Sequence, residues 1–127
     1  MRPFTLYTAI IMLVFIPLSP AGELRAAQPV GTLQGEASYY ADSLQGNKTA
    51  SGEPYDKEAY TGAHRTLPFG TKVKVTYLKT GKSVEVVVND RGPHAKGRII
   101  DVSRAAAAKL GMIDDGHGEV RLEIIGP

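Results

Sequence analysis

Thr71–Leu78 alternates polar and apolar residues, and the valine-rich Ser83–Val88 returns as its partner strand after the short connection Lys79-Thr80-Gly81-Lys82. Period-two alternation puts every second side chain on one face of an extended strand, so the pair reads as a β-hairpin with one buried face. Gly81 supplies a positive φ where the turn requires one. Glu36–Tyr40, rich in aromatics, suits another strand; Arg98–Val102 reads as a short buried one, and Glu119–Ile125 alternates again. Ser103 is placed to N-cap a helix over Arg104–Leu110, which Gly111 ends. Gln28–Gln34 reads as a lead-in, Ala41–Gly52 as a long polar loop and Asp56–Ala63 as one irregular helical turn. Many strands, a single helix, no strand–helix rhythm and 14 Gly with 8 Pro predict an all-β fold, a small closed barrel.

A chain of 127 residues allows one compact domain and excludes a multidomain enzyme. With no cysteine there is no disulfide framework, thiolate nucleophile, zinc–thiolate site or lipid-bearing Cys. The net charge of +2 is spread among interleaved acids and bases, so nucleic acid is not an expected partner. His64, His94 and His117 lack ligand spacing, and no metal or other cofactor is expected. At the N-terminus, Met1-Arg2-Pro3 precedes an apolar run from Phe4 to Leu18 and then small residues. That is the build of a secretory signal peptide, and the run is short for a membrane helix, which needs about 20 apolar residues. The expected organisation is a signal peptide over residues 1–27, cleaved after about 21–27, followed by one barrel domain over 28–127. The expectation is a monomer of the periplasm or the secreted envelope, with no stable membrane insertion after cleavage.

Three segments concentrate Gly, Pro and polar groups beside apolar strands. They are Thr49-Ala50-Ser51-Gly52-Glu53-Pro54-Tyr55, Ala63-His64-Arg65-Thr66-Leu67-Pro68-Phe69-Gly70-Thr71, and Val88-Asn89-Asp90-Arg91-Gly92-Pro93-His94 leading into Gly97-Arg98-Ile99-Ile100-Asp101-Val102-Ser103. In this order, from Gly35 to Ile125, they resemble the rare lipoprotein A (RlpA) domain, a six-stranded double-psi β-barrel of bacterial envelopes. The resemblance implies an endolytic lytic transglycosylase that cuts peptidoglycan glycan strands, preferring peptide-free ones, and leaves 1,6-anhydro-muramic acid ends. Members of the family carry a lipobox cysteine and a C-terminal peptidoglycan-binding domain; neither is found in these 127 residues, so septal targeting is not carried over.

Breaking a glycosidic bond requires a proton for the leaving oxygen and stabilisation of an oxocarbenium-like centre. A lytic transglycosylase manages with one principal acid/base, because the sugar's own 6-hydroxyl attacks. Asp90 and Asp101 are the candidates, with the proton donor open between them. The resemblance adds Glu53 and His64 as positions that matter for activity. Each has a plainer alternative: an Asx-type turn at Asp90, a partner of the helix N-terminus at Asp101, a solvated carboxylate at Glu53 and a scaffold histidine at His64. Tyr39, Tyr40, Tyr55 and Tyr60 offer flat faces for sugar rings or ordinary packing. Ser51 is a further substrate contact, and Arg65, Arg91 and Arg98 suit the lactyl carboxylates of denuded glycan. The rival reading is a non-catalytic, expansin-like module that binds and loosens wall glycan.

Overall fold

In the computed structural model, residues 31–127 are described. Strands β1 (Thr32–Tyr39), β2 (Thr61–Ala63), β3 (Lys72–Tyr77), β4 (Ser83–Asp90), β5 (Arg98–Val102) and β6 (His117–Gly126) close into a barrel in the order β1-β5-β2-β4-β3-β6. This is the six-stranded double-psi barrel that the resemblance implies. A 3₁₀ turn at Asp42–Leu44 and helix α1, Arg104–Leu110, complete the elements. The signal peptide expected over residues 1–27 lies outside the described residues.

The predicted hairpin is β3–β4, paired antiparallel from Lys72↔Val87 to Thr76↔Ser83. Its alternation buries Val73 and Val75 on one strand and Val84, Val86 and Val88 on the other. Ile100, Val102, Val120 and Leu122 meet them in the barrel interior. Burying each such side chain stabilises the fold by about 1.5–3 kcal/mol before conformational entropy is counted. Helix α1 lays Ala106, Ala107 and Leu110 on the barrel. Ser103 caps it as expected, its Oγ accepting from Ala106 N at 3.2 Å and donating to Ala59 O at 2.5 Å. Gly111 ends it in the left-handed region, φ 78°.

Asp56–Ala63 departs from its expected form. Only its first half turns, with Ala59 N bonded to Asp56 O at 3.1 Å, while Thr61–Ala63 is strand β2. Three residues are too few for periodicity to register, and their extended form comes from partners on both sides. β2 pairs parallel with β4 and antiparallel with β5.

That short strand organises the end of the barrel. Ala63 is opposite Asp90 on β4 and also opposite Asp101 on β5, and Asp101 is opposite Ser38 on β1. Partners in register project to the same side of a sheet, so one transverse row carries Ser38, Asp101, Ala63 and Asp90. On β4 the ladder steps from Gly62↔Val88 to Ala63↔Asp90, leaving Asn89 as the extra residue of a bulge. Bulges of this kind re-aim a side chain at the end of a strand.

Candidate functional site

Asp90 and Asp101 line one cavity of about 410 Å³, together with Tyr39, Tyr40, Arg98 and the Gly92–Ala95 loop. Two strand spacings separate their backbones, about 10 Å, with the methyl group of Ala63 between them. Each carboxylate is held differently. Oδ1 of Asp90 accepts the backbone N–H groups of Ala50 (2.8 Å) and Arg91 (2.9 Å), and Oδ2 accepts the Tyr40 hydroxyl at 2.5 Å. The local bond is to the next residue, Arg91, and not to Gly92 two residues on, as an Asx turn would make; the other two donors come from distant segments. Oδ1 of Asp101 accepts the Ser38 hydroxyl at 2.5 Å and lies 3.5 Å from the Arg98 guanidinium, which itself donates to Ser38 Oγ at 2.6 Å. Asp101 thus faces Ser38 and Arg98, and the helix N-terminus is capped by Ser103 instead. Arg98 also approaches Glu36 (3.9 Å), which bonds His117 on β6.

Tyr40 does not present both ring faces to the cavity. Its ring stacks on that of buried Tyr55, centroids 4.3 Å apart and planes 14° from parallel. Burial first, then the hydrogen bond and charge of Asp90, raise the Tyr40 phenol well above its ordinary ionisation. The Tyr55 hydroxyl in turn accepts from Arg104 N at 3.1 Å, the first residue of α1. Tyr39 forms part of the cavity wall and donates to Ile113 O at 2.8 Å. Tyr60 is exposed and lies away from the aspartates, beside Lys74 and Lys109.

Glu53 and Ser51 are not in this cavity. They line a neighbouring one of about 300 Å³ with Asn89, Phe69 and Gly70. Glu53 Oε1 accepts from Asn89 Nδ2 at 3.3 Å, and Ser51 N donates to Asn89 O at 3.2 Å. The 49–53 turn that carries both also presents Ala50 N to Asp90, so Glu53 reaches the aspartate only through its own turn.

His64 is 8% exposed and stands behind the cavity wall. Its Nδ1 accepts from Thr66 N and Leu67 N, both at 3.2 Å, and its backbone N–H, not the ring, donates to Asp90 O at 3.1 Å. Burial, then the charges of Arg91 and Arg65, lowers its pKa from the ordinary 6.5. A neutral ring with its proton on Nε2 fits those two backbone donors. The scaffold reading of this histidine is the one its contacts match.

Two of the three arginines brace loops. Arg65 donates to Pro93 O (2.6 Å) and Ala95 O (2.7 Å), and Arg91 donates to Leu67 O (2.8 Å) and His64 O (3.2 Å) while its guanidinium lies 4.1 Å from the Phe69 ring centroid. Arg98 is the cation engaged with a candidate carboxylate. Sequence reasoning does not single out Ser38 or Asn89, which hold Asp101 and the Glu53 turn. The available signal for Ser38 was its place on the strand just before Tyr39-Tyr40. Among the described residues, no group of three His, Asp or Glu side chains is arranged to hold a metal ion.

Two carboxyl groups on one cavity wall, one beside a phenol and the other beside a guanidinium, can exchange a proton and face a developing positive charge. Residues 32–122 match a family described as lytic transglycolase. The chain is 54% identical over 104 residues to a probable endolytic peptidoglycan transglycosylase RlpA of Treponema pallidum, covering 82% of this chain and 33% of that protein. It is 53% identical over 96 residues to the endolytic peptidoglycan transglycosylase RlpA of Neisseria meningitidis serogroup A, covering 76% of this chain and 40% of the other. The chain thus spans well under half the length of these curated relatives. Its fold is similar to that of a substituted Clavibacter michiganensis expansin in complex with cellohexaose, with TM-score 0.58 and 25% identity over 76% of this chain and 53% of the expansin.

Proposed function

This chain belongs to the lytic transglycolase family, and on that premise we propose that it cleaves peptidoglycan glycan strands as an endolytic lytic transglycosylase. The observation that carries this reading is the transverse row: two aspartates, Asp90 and Asp101, flank Ala63 and line the same cavity. One carboxyl group gives its proton to the glycosidic oxygen as the C1–O bond breaks, and that bond's electron pair leaves with the oxygen. The second carboxylate faces the oxocarbenium-like carbon. The 6-hydroxyl of the same sugar then attacks C1, and its proton returns to a carboxylate, so protons balance and a 1,6-anhydro end results. Arg98, at the cavity, suits the lactyl carboxylate of a peptide-free strand, and Tyr39 adds an aromatic wall. Glu53 and His64 act as positioning residues, Glu53 through its turn and the His64 ring through the Thr66–Leu67 backbone, whose Leu67 carbonyl receives Arg91 beside Asp90. No cofactor is required by this chemistry.

The site of action in this reading is the periplasm or the secreted envelope, reached by a signal peptide over residues 1–27, with the barrel domain of residues 28–127 working as a monomer. The rival, a non-catalytic module that binds wall glycan, draws on the likeness to an expansin in complex with cellohexaose. One assay separates them. Purified protein and its Asp90→Asn and Asp101→Asn variants are incubated with peptide-free glycan strands and the products weighed by mass spectrometry. Anhydro-ended fragments are expected from the wild type, reduced by about 10²-fold or more in at least one variant. Fragments with reducing ends would mean hydrolysis and overturn the internal nucleophile. Intact strands that still sediment with the protein would establish the binding module.

A further inference from the structure

We infer that Tyr40 is a positioning residue for Asp90, whose hydroxyl leaves that carboxyl group a single direction, toward the cavity, in which to carry a proton. The inference rests on the acid/base reading of the cavity and takes it further. A carboxyl group offers about four lone-pair directions. Backbone N–H groups of Ala50 and Arg91 take two on Oδ1, at 2.8 and 2.9 Å, and the Tyr40 hydroxyl takes one on Oδ2 at 2.5 Å. One direction on Oδ2 is left.

The phenol is held firmly enough to do this. Its backbone N–H bonds Val102 O at 3.1 Å, and its ring is stacked on Tyr55, which is itself tied to Arg104 N. The same stacking covers one face of the ring. When Asp90 gives up its proton, the electron pair of that O–H bond stays on Oδ2, and Tyr40 donates to the charge that appears there. The phenolic O–H bond does not break. Donors fixed in advance at the place where charge develops are what lowers such a barrier. Burial and the neighbouring carboxylate both keep the phenol protonated.

Tyr40→Phe keeps the ring and its stacking and removes only the hydroxyl. On peptide-free glycan, kcat is expected to fall about 10- to 100-fold with KM within about twofold of the wild type, as for loss of a hydrogen bond to a charged group. Tyr40→Leu, which also removes the ring, separates the alternatives. A stacking role would leave Tyr40→Phe at wild-type kcat and raise KM only in Tyr40→Leu, and that pattern overturns the proposal. A second readout does not need activity. With tyrosine labelled at ¹³Cζ, the resonance missing from Tyr40→Phe is Tyr40, and at neutral pH Asp90→Asn should shift that resonance, because the Tyr40 hydroxyl donates to the Asp90 carboxylate. An unchanged resonance overturns the contact itself. A wild-type protein that releases no anhydro fragments overturns the acid/base reading beneath the proposal, whatever the tyrosine resonance does.

Discussion

The two aspartates sit one short strand apart, yet the walls that hold them are made differently. Around Asp90 the wall is loop: a backbone N–H from the 49–53 turn, another from Arg91, and a phenol fixed by stacking. Around Asp101 it is strand: Ser38 from the register partner on β1 and Arg98 three residues back on β5. A side-chain donor can be deleted by one substitution, whereas a backbone donor can be displaced only by rerouting the chain. Asp101 is therefore exposed to changes in its immediate neighbours. Tyr40 apart, Asp90 answers to residues that never touch it but set the path of a loop.

The sharpest test of this contrast is Ser38→Ala. It removes the donor to Asp101 and the acceptor of Arg98 in one step, and turnover on peptide-free glycan should fall about 10- to 100-fold, the scale of a lost bond to a charged group. Wild-type turnover in this variant would mean that Asp101 does not depend on its strand neighbours. A smaller effect is expected at Glu53, measured by the same assay. Glu53→Ala frees Asn89 and loosens the turn that presents Ala50, lowering kcat about three- to tenfold, while Glu53→Gln keeps the oxygen that Asn89 bonds and restores most of it. A Gln variant as slow as the Ala variant would show that the charge of Glu53 itself takes part, and the loop account would fail.

The smallest effect concerns His64. Its pKa is lowered in the folded state, so folding favours the neutral ring. That contribution is complete above the unfolded value near 6.5 and is lost as pH falls through the folded value. Between pH 7 and pH 5 the wild-type unfolding midpoint should drop a few degrees more than that of His64→Asn, whose amide oxygen can accept the same two backbone N–H groups without titrating. Parallel curves from calorimetry would mean that the fold does not hold the His64 ring neutral.

The parts of the fold that were legible are those where one face is buried and the element is long. The alternation of Thr71–Leu78 and the valine-rich return of Ser83–Val88 locate β3 and β4 closely, and Ser103 and Gly111 bracket α1 because capping is local chemistry. Strand β2 was not legible. Thr61-Gly62-Ala63 has no alternation of its own and is extended because β4 and β5 pair with it on either side. Asp90 and Asp101 stand out from the sequence as carboxylates at strand ends, but their shared partner Ala63 does not. The separation of Glu53 from them follows from the bulge at Asn89, and the Tyr40–Asp90 bond joins residues 50 apart in sequence. Both depend on register, which no local pattern encodes.

The row Ser38, Asp101, Ala63 and Asp90 is drawn from four strands, and two of its three junctions are parallel. Parallel neighbours cannot be joined by a tight hairpin; they meet only after long stretches of chain have found one another, which is the slow part of folding for such topologies. The β3–β4 hairpin can form early and bring Asp90 with it, but the opposing aspartate arrives only when the last seam is sewn. Chemical competence is in that sense a certificate of completed folding. In a refolding experiment the pairing of Asp101 with Ala63 and Ser38 should lag behind any signal from the hairpin and coincide with barrel closure, leaving half-built chains with only one of the two carboxylates in place.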